Sequence, residues 1–162
     1  MDSGISHPES RGEAGLSGDI QFDNWRARQA EKIETFVYKG KPLKVKGISI
    51  RWLSECGDDG TGWPEYGLRF FTAEPGGEIP IHSHFYHQTM YILSGRLECW
   101  EFDRSTDELV RKKVCGPGDF IYVPSTVPHG MRNTSDTEEA TFLCCIGNVY
   151  DHPAPGGLQD CV

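Results

Sequence analysis

Gly76-Gly77-Glu78-Ile79-Pro80-Ile81-His82-Ser83-His84-Phe85-Tyr86-His87-Gln88 is the stretch on which the reading of this chain turns. Side chains along an extended strand alternate between its two faces, so His82 and His84, one residue apart, present both imidazoles on the same side. Gln88 follows and can bring an amide oxygen from the next strand. The pattern predicts half of a metal site, with a neutral amide where a carboxylate is the more usual partner.

Outward from this stretch, the chain from Thr35 onward is a succession of short runs rich in β-branched and aromatic residues. Strands are expected from Thr35 to Tyr38, Leu43 to Leu53, Tyr66 to Ala73, Ile79 to His84, Gln88 to Leu93, Arg96 to Phe102, Leu109 to Val114, Phe120 to Val123, His129 to Arg132 and Ala140 to Val149. Turn clusters such as Pro75-Gly76-Gly77, Ser94-Gly95 and Gly116-Pro117-Gly118-Asp119 separate them. No long amphipathic helix interrupts the series. Many short strands joined by glycine and proline turns predict a closed or sandwiched all-β domain, whose interior can hold a small ligand.

The spacings resemble the two motifs of the cupin superfamily. Gly76, five residues, His82-x-His84, three residues, Gln88, six residues and Gly95 is similar to the first motif, G-x5-HxH-x3,4-E-x6-G. Gly118, five residues, Pro124, then His129 and Asn133 resemble the second, G-x5-P-x-G-x2-H-x3-N. Two positions depart from the pattern: Gln88 stands in place of the glutamate and Thr126 in place of a glycine. The threonine predicts a somewhat altered turn. The resemblance implies a small single-domain jelly-roll barrel, a double-stranded β-helix, with His82, His84, Gln88 and His129 as ligands of one divalent metal. Manganese, iron, nickel and zinc all suit such a donor set.

The residues support that metal site independently of the family. Two imidazoles, an amide oxygen and a third imidazole, His129, after a proline-fixed turn leave coordination places open for a substrate. His87 is the runner-up to Gln88, but adjacency on a strand directs it to the opposite face. Three imidazoles and an amide leave the charge of a divalent ion uncancelled, which suits Lewis-acid work on an anionic or α-oxygenated substrate, as in elimination or isomerisation, and the resemblance implies lyase or cyclase types as well. An iron-dependent dioxygenase and a non-catalytic ligand-binding barrel are the alternatives. No catalytic base is assigned among Glu78, Tyr86, His87, Tyr91 and Tyr122, and no organic cofactor is expected. Met90 and Met131 are expected on the walls near the metal. Arg69 is left open between a cavity anion clamp and a solvated surface residue.

The remainder of the sequence bounds the function. In 162 residues, 24 acidic side chains stand against 16 basic ones, a formal charge of -8 that repels phosphate backbones and anionic lipid. Nucleic acid and membrane partners are not expected, and a small-molecule substrate is. The chain begins without the basic-then-apolar order of a signal peptide, and the longest apolar run, Ala140 to Ile146, is too short to span a bilayer. Six cysteines with no C-x-x-C, two of them adjacent at Cys144 and Cys145, read as reduced thiols. A cytoplasmic protein is expected, and the resemblance implies a homodimer, with the strand from Leu43 to Leu53 as its edge. Residues 1–18 and 151–162 are expected as tails, 19–34 as an arm or short helix, and 35–150 as the barrel.

Overall fold

The computed structural model describes residues 29–54 and 66–147. Nine strands occur in this part: β1 (Glu31–Tyr38), β2 (Lys41–Ser54), β3 (Tyr66–His82), β4 (Gln88–Ser94), β5 (Leu97–Phe102), β6 (Leu109–Cys115), β7 (Phe120–Val123), β8 (His129–Asn133) and β9 (Ala140–Gly147). Every pairing is antiparallel, and no helix is found among the described residues. The path β6-β5-β8-β3-β9-β4-β7, with β2 and β1 laid on β3, makes a nearly closed jelly roll.

Strand β3 links the two halves. Its first part, Tyr66 to Ala73, pairs with β9, and its last part, Glu78 to His82, pairs with β8. The sequence predicts a turn at Pro75-Gly76-Gly77, but the chain runs on as one strand. The reason is local: Gly76 takes a φ of 64°, a bulge conformation open to glycine at little penalty, and its N–H donates to the Ser135 carbonyl at 2.8 Å. Asn133 clamps the same bend. Its Nδ2 donates to the carbonyls of Ala73, Glu74 and Glu138 at 3.1, 3.0 and 2.7 Å, and its Oδ1 accepts from the Ser135 N–H.

Alternation fills the interior. On β9 the inward series Ala140, Phe142, Cys144 and Ile146 is fully buried, and Met90 and Ile92 of β4 meet it. Phe71 stacks on Phe142 with ring centroids 4.9 Å apart. Cys144 thus enters the core, and Cys145 lies on the other, half-buried face.

Three further expectations change. Strand pairing begins at Glu31, inside the segment expected as an arm or helix, and the remainder of that segment before residue 29 lies outside the described residues, as do both expected tails. Strand β2 is paired on one side by β1 and on the other by β3, so among the described strands it is not an edge available to a second copy. Thr126 also departs from expectation. It adopts the left-handed φ of 64° that a glycine would supply, and its N–H donates to the His84 carbonyl at 2.8 Å. The turn is kept, and a β-branched residue carries it under strain.

Candidate metal centre

His82 is the last residue of β3, and His129 is the first of β8, directly opposite it in the register. His84 lies two residues beyond the end of β3, in the loop leading to β4, rather than on the strand itself. Its ring is carried inward by stacking on Tyr86 at a centroid separation of 3.9 Å. The nitrogens of the three imidazoles approach within 4.8 Å of one another, close enough to hold one metal ion.

Each ring is oriented by a backbone carbonyl two residues away. His82 Nδ1 donates to Pro80 at 3.0 Å, His84 Nδ1 to Tyr86 at 2.7 Å and His129 Nδ1 to Val127 at 2.8 Å. A carbonyl can only accept, so Nδ1 carries the proton in all three, and each Nε2 is left with its lone pair. The Nε2 of His84 is buried and has no hydrogen-bond partner. A polar atom in that condition is stabilised by a ligand, and a cation is what a lone pair takes. Burial also keeps the rings neutral. It lowers His84 to about 3 and His129 to about 4, and burial with the neighbouring His129 and His84 holds His82 well below its ordinary value. These side chains fit a divalent metal.

Gln88 begins β4 and is buried beside the histidines, while His87 is exposed, its ring against Gly147 and Tyr122. The alternation expected from the sequence therefore brings Gln88, and not His87, to the cluster. Its Nε2 donates to the His129 Nε2 lone pair at 3.0 Å. Its Oε1 accepts from Arg69 Nη2 and from the Cys144 thiol, each at 3.4 Å.

Arg69 is the site residue that the sequence left undecided. It is 2 % exposed and lines the cavity with Phe71, Met90, Met131 and Cys144. Of the five side chains considered as a base, Tyr86 lines the cavity; Tyr91, Tyr122 and His87 are exposed, and Glu78 lies outside the lining. Phe36 of β1 stacks on His82 at 4.8 Å and closes one side, a contact without a local sequence signal. The cavity leaves about 20 Å³ for solvent, room for a water molecule or an ion. A separate groove of about 300 Å³, formed by Val37 to Gly40, Ser83, Phe85, Arg104, Thr126 and Pro128, shares His84 with it.

The cupin domain model matches residues 69–146. No curated protein matches the chain significantly. Among solved structures, the polyketide cyclase RemF of Streptomyces resistomycificus superposes with a TM-score of 0.60 at 22 % identity over 83 % of each chain. A cupin-2 domain of Rhodospirillum rubrum gives 0.57 at 19 % identity, over 87 % of this chain and 82 % of its own. Oxalate oxidase gives 0.52 at 21 % identity over 63 % of this chain, which spans about half of that enzyme's length. At these identities the likeness is one of fold. With its jelly-roll strands and its converging histidines, the chain carries a cupin domain over residues 69–146.

Proposed function

We propose that the barrel holds one divalent transition-metal ion on the Nε2 atoms of His82, His84 and His129, with Gln88 Oε1 as a fourth donor. The protein is then a small-molecule enzyme of lyase, isomerase or cyclase type. The observation that carries this reading is the set of three neutral imidazoles, two buried and one half-buried, whose ligand nitrogens lie within 4.8 Å of one another, with the His84 Nε2 lacking any hydrogen-bond partner. Such an ion supplies Lewis acidity to an anionic or α-oxygenated substrate. Gln88 joins the ligand set by turning its amide over, which exchanges the bond from Arg69 for the metal. Around the ion, this chain's residues exclude water through Phe36, Met90 and Met131 and fix the ligand rings through backbone carbonyls. The fold neighbours include a polyketide cyclase and an oxalate oxidase, and the first of these supports the cyclase type among the three.

Elemental analysis of the purified protein tests the reading, with about one metal per chain expected. Gln88→Ala should weaken metal binding, Gln88→Glu should strengthen it by cancelling charge, and His87→Ala should leave it unchanged. Absence of metal, with no thermal shift on adding manganese, iron, nickel or zinc, would refute the centre. Loss of metal in His87→Ala with retention in Gln88→Ala would refute the ligand set.

A further inference from the structure

We propose that Arg69 is the anion-binding half of this centre, taking the carboxylate end of a small substrate through Nε and Nη2, and that metal and anion bind as a pair. The inference rests on the ligand set proposed above.

A guanidinium is charged at every physiological pH, and a buried charge ordinarily faces an opposite one. Arg69 is buried and, among the described residues, has none. Its charge lies over the rings of Trp52, Phe71 and Tyr86 at 5.5, 5.3 and 5.7 Å. Its Nη2 reaches two neutral acceptors, Cys144 Sγ at 3.0 Å and Gln88 Oε1 at 3.4 Å, and its Nε has no hydrogen-bond partner. Among the described residues, the ion pairs join other side chains and none brings a carboxylate to it. The Cys144 thiol donates in turn to Gln88 Oε1 at 3.4 Å, since an amide oxygen can only accept.

Nε and Nη2 form one edge of the guanidinium, the edge that binds a carboxylate with two parallel hydrogen bonds. Nε is free, and Nη2 depends on Gln88. When the Gln88 oxygen turns to the metal, its NH2 group faces Arg69, donor against donor, and Nη2 loses that acceptor. The same event adds two positive charges one amide group away, and no carboxylate stands among the described residues that line the cavity. An anion on the Arg69 edge answers both the lost hydrogen bond and the accumulated charge.

Calorimetric titration of chelator-treated protein with zinc, in the presence of glycolate or of its neutral counterpart glycolamide, tests the coupling. Glycolate should tighten zinc binding about tenfold or more, and glycolamide should not. Arg69→Met should abolish the glycolate effect while binding zinc at least as tightly as the wild type. Arg69→Lys, which keeps the charge but not the two-pronged edge, should retain a smaller effect. Equal effects of glycolate and glycolamide on the wild type, or a full glycolate effect in Arg69→Met, would overturn the proposal. Tight zinc binding that is indifferent to glycolate refutes the role of Arg69 and leaves the metal centre standing; failure to bind zinc under any condition refutes both.

Discussion

Acidifying the metal-free protein should destabilise it in a window set by the buried histidines. In the unfolded chain a histidine takes up its proton near pH 6.5. In the folded chain His129 does so only near 4 and His84 near 3, because burial penalises the charged ring. Between these values the unfolded state binds more protons, so stability falls as the pH falls and levels off only below the folded values. For His129 alone the displacement amounts to roughly 3 kcal/mol, at most about 1.4 kcal/mol per pH unit. The carboxylates of Asp103 and Asp107 are held below their ordinary value by hydrogen bonds and add their own loss of stability on acidification, so the comparison that isolates the imidazole is with His129→Asn. Urea unfolding in chelator at intervals from pH 7 to pH 4 should show a slope shallower by about 1.4 kcal/mol per unit in the variant. Parallel curves for the two proteins would refute the argument, since they would mean that His129 protonates as readily folded as unfolded.

Two further outcomes concern the frame around the site. Thr126→Gly removes a left-handed strain of about 1–2 kcal/mol, partly offset by the greater freedom of glycine in the unfolded chain. The melting temperature should stay level or rise by up to about 4 °C, and a fall of that size would show that the threonine side chain supports the turn. Asn133→Ala strips a donor from three carbonyls at the bend of β3 and should lower stability by about 3 kcal/mol or more in urea unfolding. A loss below about 1 kcal/mol would refute the clamp.

The barrel and the histidine cluster were legible because they depend on local pattern. Alternation along β4 and β9 and the spacing from His82 to Gln88 are facts of the chain itself. What escaped depends on contacts between distant segments. Pro75-Gly76-Gly77 has every mark of a turn, and it becomes a bulge within β3 where Asn133 and Ser135, some sixty residues on, bind the carbonyls of Ala73 and Glu74 and the N–H of Gly76. Glu31-Lys32-Ile33-Glu34 reads equally well as helix, and its pairing with Ser49 and Ile50 makes it strand. Arg69 was ambiguous because both faces of Leu68-Arg69-Phe70-Phe71 carry apolar neighbours, so parity could not say which face meets the cavity. His84 reached the cluster by a different route from the one expected, through a loop and a ring stack on Tyr86. The Thr126 backbone shows that a residue's preference can be overruled where Pro124, Pro128 and a bond to His84 fix the path.

The carbonyls of Pro80, Tyr86 and Val127 that orient the three rings belong to the main chain, which every residue possesses. Holding an ion is thereby separated from shaping what surrounds it. Arg69, Met90, Met131 and Cys144 can be exchanged without removing any bond that aims an imidazole, so one scaffold can serve many substrates by altering its walls alone. The converse vulnerability lies in the peptide path at residues 80, 86 and 127, where a shift would rotate a ring even though no ligand had been replaced.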